Sequence, residues 1–92
     1  MDITVIHEIE NERFVADING DKAYAVYNLQ DDIIKLNSTY TPPHLRGRGI
    51  AKIIVETVFK YAKENNLKVQ PICSYVKTFI SRNKEYADFV AN

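Results

Sequence analysis

The sequence predicts an α/β fold, with a mixed, mostly antiparallel sheet in the order β-β-β-β-α-β-α. Three observations carry that expectation. The first forty positions break into short β-branched and apolar runs separated by polar turn residues, with clear period-two alternation from Lys22 to Leu29. At Gly49 the period changes to that of a helix. A short β-branched run and a second helical stretch then follow.

Residues 3–7, Ile-Thr-Val-Ile-His, form a first strand, and the polar Glu10-Asn11-Glu12 turns the chain. Residues 13–18 are the second strand. Asn19-Gly20-Asp21 marks a hairpin, because Asn and Gly tolerate the positive φ that such turns require. The third strand, 22–29, places Ala23, Ala25 and Tyr27 on one face and Tyr24, Val26 and Asn28 on the other. Asp31-Asp32 turns the chain again. The fourth strand, 33–41, stops at Pro42-Pro43, which cannot donate to a ladder. From Gly49, Ile50, Ile54, Val58 and Tyr61 form one helical row, and Ala51, Val55, Phe59 and Ala62 form a second. Lys52, Glu56, Lys60 and Lys63 take the opposite side, at the spacing of i,i+4 pairs. The β-branched content makes this helix depend on packing against a sheet. It should stop at Asn65-Asn66. Residues 67–73 read as a fifth strand, exposed on its Pro71 side. Residues 74–80 read as a short helix with Ser74 as N-cap, and 84–90 as a last helix or turn.

Ninety-two residues make one domain, 1–92, which should expose about 5,500 Å² when folded. With 46% hydrophobic and 26% charged residues, the chain is globular rather than disordered. No apolar run approaches the ~18 residues that span a bilayer, and the first residues lack the pattern of a secretory signal. The single cysteine, Cys73, has no internal disulfide partner, which suits a reducing, cytoplasmic setting. One cysteine and two histidines, His7 and His44, leave no basis for a multi-cysteine zinc site, and no metal is expected.

The net charge is zero, but it is unevenly spread. Residues 1–40 hold eight acids and three bases; residues 41–92 hold nine bases and four acids. Two readings fit this split: chance placement of charges on solvated faces, or an anionic ligand held by the second half. Its informative segment is Thr41-Pro42-Pro43-His44-Leu45-Arg46-Gly47-Arg48-Gly49-Ile50-Ala51. Two glycines bracket an arginine where a strand gives way to a helix. The first N–H groups of a helix are unpaired, and its dipole favours an anion there. Arg46, Arg48 and Lys52 add formal charge, so the physics points to phosphate or pyrophosphate. The nucleotide P-loop needs Gly-Lys-Ser/Thr after its first glycine, and that is absent. The dinucleotide fingerprint needs a third glycine beyond Ile50 and a parallel first strand, also absent. A plain strand-to-helix turn is the structural alternative.

Arg46-Gly47-Arg48-Gly49-Ile50-Ala51 resembles the Arg/Gln-x-x-Gly-x-Gly/Ala signature of the GCN5-related N-acetyltransferase (GNAT) superfamily. Its place, after the fourth strand and opening the main helix, matches too. Ser38-Thr39-Tyr40-Thr41-Pro42, Pro71-Ile72-Cys73-Ser74-Tyr75-Val76 and the tail Phe79-Ile80-Ser81-Arg82-Asn83-Lys84-Glu85-Tyr86 look like the minimal, roughly hundred-residue members. The resemblance implies a minimal GNAT-like acyl-CoA-binding fold. Coenzyme A, as acetyl-CoA, would be the co-substrate, and an amine on a small molecule or a protein lysine the acceptor. Backbone N–H groups of Arg46, Gly47, Arg48, Gly49, Ile50 and Ala51 would hold the pyrophosphate. Tyr40 and Thr41 would pair with the pantetheine arm, and Arg82 and Asn83 would lie toward the adenine. Full-size members carry two helices after the first strand that wall the acceptor site. Here a short turn replaces them, and Ser38 stands where many minimal members have histidine.

For catalysis, Cys73 is the leading candidate. The resemblance places it beside the strands that admit the pantetheine arm, and a following helix would favour its thiolate. Burial as a structural cysteine is the alternative. Tyr75 or Tyr40 would protonate a departing thiolate, against a packing role for either. His44 is expected in solvent, His7 as an exposed or satisfied strand residue, and Glu56 on the solvent side. Two functions compete: an acyl-CoA-dependent N-acyltransferase, and a CoA-binding module that senses acyl-CoA or acts through a partner. A phosphate- or RNA-binding domain is a third. It lacks the interleaved aromatic and basic strand of RNA-binding sheets, so no nucleic acid and no membrane is expected.

Overall fold

The computed structural model describes residues 3–91. Its five strands are β1 (Val5–Glu8), β2 (Arg13–Ile18), β3 (Asp21–Gln30), β4 (Ile33–Tyr40) and β5 (Lys68–Pro71). They lie side by side in sequence order. The first three pairings are antiparallel, and β4 with β5 is parallel. A parallel neighbour requires a crossover, and helix α1 (Ile50–Glu64) makes it. Helix α2 (Ser74–Arg82) and a 3-10 stretch, Lys84–Phe89, complete the chain. This is the mixed, mostly antiparallel α/β sheet that the periodicities predict. Its accessible surface is 5775 Å².

Two-residue turns fix the register. Asn19 and Gly20 have φ of 54° and 92°, and Ile18 pairs with Asp21 across them. Asp31 and Asp32 both have positive φ, 53° and 63°, in the turn that joins Gln30 to Ile33. Positive φ at both central residues is the hairpin geometry that matches strand twist. With the turns fixed, Phe14, Ala16, Ala23, Ala25, Tyr27, Ile34 and Leu36 are all buried in one core with the α1 residues Ile50, Ile54, Val55, Val58, Phe59 and Ala62. The sheet alanines leave room for the larger side chains of α1. Val76 and Phe79 of α2 join the same core.

One irregularity bears on the site. On β3, Val26 pairs with Ser38 and Tyr27 with Leu36, so Asn37 is an extra residue in β4. Such a bulge re-aims the side chains beyond it. Strict alternation from Leu36 would send Ser38 toward the core face. The bulge sends Thr39 there instead, opposite the fully buried Ala25, and leaves Ser38 exposed. The Asn37 amide donates to Asn28 Oδ1 at 2.8 Å, and the Asn28 amide donates to Glu12 Oε1 at 3.3 Å.

Four details differ from the sequence expectations. β5 is four residues long rather than seven, because Pro71 has no N–H and its partner strand turns away after Leu36. Its far edge is partly covered: Val90 bridges to Val69, and the Ala91 N–H donates to the Val69 carbonyl at 2.8 Å. Cys73, not Ser74, is the N-cap of α2. Lys52, Glu56 and Lys60 form no ion pair among the described residues, and Glu56 is half-buried rather than on the solvent side. It faces Phe59, Tyr86 and Phe89 across a cavity of about 310 Å³ between α1 and the 3-10 stretch.

Candidate active site

A cleft of about 430 Å³ lies where β4, the loop before α1 and the start of α2 meet. The end of β4 supplies Thr39, Tyr40 and Thr41. The loop supplies Leu45, Arg46, Gly47 and Gly49, and α1 supplies Ile50 and Ala51. Tyr75 closes the side toward α2. Tyr40, Thr41, Arg46, Gly47, Gly49, Ile50 and Ala51 are therefore brought to one cavity. Arg48 is exposed and is not part of its wall.

The loop is shaped by local forces. Pro43 starts a 3-10 turn, Pro43–Leu45, and Leu45 is buried as its anchor. The Arg46 Nε–H donates to the Thr41 carbonyl at 2.9 Å, which ties the loop to the end of β4. Gly47 and Gly49 then take φ of 82° and 79°, a conformation that side-chain-bearing residues adopt at a cost. A Cβ at either position would meet open space, so backbone conformation and not crowding requires glycine. Gly49 is the N-cap of α1, and its carbonyl accepts the first helical bond, from the Ile53 N–H at 3.1 Å. Among the described residues, no protein group accepts from the N–H groups of residues 47–52. Six successive unpaired donors at a helix start form a nest for an anion.

Cys73 does not line this cleft: it stands behind the wall residue Thr39, where β4 and β5 part. Their last pair is Leu36 with Pro71, and the Leu36 carbonyl accepts from both Ile72 and Cys73, each at 3.1 Å. Beyond it β4 keeps only β3 as a neighbour. Cys73 is half-buried there, and its Sγ lies 3.6 Å from Thr39 Oγ1. Burial pushes the thiol pKa up, but the Thr39 hydroxyl and the amides of Val76, Tyr75 and Thr39 pull harder, and the net shift is downward. No capping hydrogen bond closes on the neutral sulfur, so the α2 amides act as an oriented field that favours the thiolate. Burial, with Glu56 and Cys73 nearby, raises the Tyr75 pKa, so its phenol stays protonated. Tyr40 lines the cleft, and its ring pairs with Tyr24 at 5.3 Å.

The remaining candidates lie elsewhere. His44 is solvent-exposed, as expected, and pairs with Asp21 at 2.9 Å. His7 is a satisfied strand residue: it stacks on Phe14 at 3.9 Å and shares a hydrogen bond with the Tyr27 hydroxyl. Asn83 caps α2 through the Phe79 carbonyl at 2.9 Å, and neither it nor the exposed Arg82 lines the cleft. Between β1 and β2 there is only the 3-10 turn Ile9–Asn11. No cluster of three metal-ligating side chains exists among the described residues, and no helix is long and apolar enough to cross a membrane. Sequence reasoning missed Thr39 as a site residue. Its signal was the consecutive polar pair Asn37-Ser38, which breaks the alternation of β4.

The five-stranded sheet parts beside an amide-lined helix start, in a mixed α/β domain. The sequence model described as GCN5-related N-acetyl-transferase matches residues 13–89, and the chain belongs to that family. It is 31% identical over 84 residues to Protein NATD1 of Gallus gallus, covering 88% of this chain and 76% of that protein. Protein NATD1 of Homo sapiens is likewise 31% identical, with 88% and 74% covered. A GCN5-like protein of Staphylococcus aureus, solved in solution by NMR and assigned as a candidate N-acetyltransferase, shares the fold. The TM-score is 0.75 at 24% identity, over 99% of this chain and 88% of that one.

Proposed function

We propose that this protein is an acyl-CoA-dependent N-acyltransferase that uses acetyl-CoA, with Cys73 carrying the acyl group from donor to amine. The observation that carries this reading is the run of unpaired N–H groups at residues 47–52, beside a cleft whose wall residue Thr39 touches the Cys73 sulfur. Acyl-CoA supplies an activated thioester. The amides of Gly47, Arg48, Gly49, Ile50 and Ala51, with the dipole of α1, hold the pyrophosphate; the Arg46 N–H, expected among them, is instead taken by the Pro43 carbonyl at 3.3 Å. The edge of β4 at Tyr40 and Thr41, free of β5, pairs with the pantetheine amides.

The Cys73 thiolate attacks the thioester carbonyl, and a backbone N–H at the end of β4, of Tyr40 or Thr41, steadies the charge that develops there. The coenzyme A thiolate leaves and takes the Tyr75 proton. The amine then adds to the acyl-cysteine carbonyl, the Cys73 thiolate departs, and the amine proton returns to the tyrosinate. Small-molecule amines and protein lysines both fit this chemistry. A site that needs a reduced thiol belongs in the cytoplasm.

Intact-mass spectra with acetyl-CoA test the reading. One added acetyl group, mapped to Cys73, is expected, with acyl transfer lost in Cys73→Ala. Transfer by Cys73→Ala at the wild-type rate contradicts the covalent role. A second reading is a CoA-binding module without efficient turnover, acting as a sensor or through a partner. The three-residue turn between β1 and β2, where an acceptor wall would stand, favours it. CoA binding with no acyl transfer to any amine would establish it.

A further inference from the structure

We infer that Thr39 is the positioning residue of this site: its hydroxyl donates to the Cys73 sulfur and fixes the thiolate directly behind the cleft wall. The inference deepens the acyltransferase reading and rests on it for its catalytic meaning. Three observations carry it. Thr39 Oγ1 lies 3.6 Å from Sγ, within range for a hydrogen bond to sulfur. Thr39 lines the cleft, whereas Cys73 stands behind it at the N-cap of α2. Thr39 reaches that face only because Asn37 bulges from β4, and side-chain bonds from Asn37 through Asn28 to Glu12 pin the bulge.

The chemistry follows from the geometry. A neutral thiol is a weak partner for a hydroxyl, whereas a thiolate is a charged acceptor and gains more from the same contact. The titratable neighbour facing Cys73 is the Tyr75 phenol of α2, and Glu56 of α1 acts on Tyr75 in turn. No cation is among the groups that act on the sulfur. Hydroxyl and amides therefore set its ionisation, and Thr39 is the one side chain among them.

The test is the pH dependence of Cys73 alkylation by iodoacetamide, in wild type, Thr39→Val and Thr39→Ser. Cys73 is the only cysteine, so the rate reports one thiol. Thr39→Val keeps the shape and loses the donor; Thr39→Ser keeps the donor. The expected result is a midpoint raised by about one pH unit in Thr39→Val and restored in Thr39→Ser, at unchanged far-ultraviolet circular dichroism. An unmoved midpoint in folded Thr39→Val overturns the inference. If Thr39→Val does not fold, Thr39→Ser and Thr39→Ala are compared, and equal midpoints in those two overturn it. The function is read separately. A shifted midpoint with full transfer by Cys73→Ala supports the Thr39 contact and overturns the acyl-cysteine. An unmoved midpoint with acetyl-Cys73 still formed does the reverse.

Discussion

Leu36 and Pro71 are the last pair that β4 and β5 share, and the Leu36 carbonyl closes the ladder by accepting from both Ile72 and Cys73. Pro71 offers no N–H to continue the pairing. The bulge at Asn37 begins on the next residue of β4. The two strands thus separate at a point fixed by sequence, and Cys73 and Thr39 face each other just past it.

Gly49→Val tests the loop. At φ of 79° a β-branched residue is strained, and its side chain would stand in the open space over the amides. The strain should cost about 1–2 kcal/mol of stability. CoA affinity, measured by calorimetry, should fall at least about tenfold, equivalent to 1.4 kcal/mol. Unchanged affinity in the folded variant would remove the pyrophosphate from this loop.

Ionic strength separates the fixed amides from the mobile cations. Arg46 is partly engaged by Thr41, whereas Arg48 and Lys52 are exposed. Their attraction should be screened as the Debye length falls from ~8 Å at physiological salt to ~3 Å at 1 M. CoA affinity should therefore drop with salt and level off at the contribution of the amides. The Arg48→Ala variant should show a shallower salt dependence. An identical slope would place Arg48 away from the ligand.

Tyr75→Phe tests proton delivery. The phenol is held protonated, so it can donate to a leaving thiolate. Removal of the hydroxyl should slow acetyl-Cys73 formation by about 10²-fold, the low end for a general acid, with CoA affinity unchanged. A wild-type rate would leave Tyr75 as a wall of the cleft.

Stability should fall in mild acid through His7. Burial against Phe14 and Tyr61 lowers its folded pKa below 6.5. The unfolded chain therefore takes up a proton before the folded protein does. The contribution is complete above 6.5 and is lost as pH falls through the lower folded value. The Tm of His7→Gln should be lower overall, from lost stacking of about 0.5–1.5 kcal/mol, and should lack this component of the acid slope. Parallel Tm profiles for the two proteins would assign the slope to other groups.

Much of this fold could be read from period and punctuation. Ala23, Ala25 and Tyr27 lie on the core face, as their alternation requires, and the α1 rows around Ile54 and Phe59 are buried. The turn into α1 is legible because the spacing of Gly47 and Gly49 marks the positive φ that both adopt before the helix starts. The Thr39 contact is not. A bulge is a property of two strands in register, and β4 alone carries only the faint sign of Asn37 beside Ser38. Glu56 was misplaced for a related reason. Helical periodicity gives a direction, but the 3-10 stretch of Tyr86 and Phe89 that covers this face lies in another part of the chain. Propensity favours Ser74 as the cap, whereas the parting of β5 from β4 places Cys73 there.

A titration of acetyl-CoA into nitrogen-15-labelled protein, followed amide by amide, tests the pyrophosphate site directly. On the proposed function, the unpaired N–H groups of residues 47–52 hold the pyrophosphate. Their resonances should move first and furthest, with those of Thr39, Tyr40 and Thr41 along the inner cleft. Saturable binding that moves only other amides, such as those around Phe59 and Tyr86 at the second cavity, would contradict it. So would the absence of any shift at millimolar acetyl-CoA.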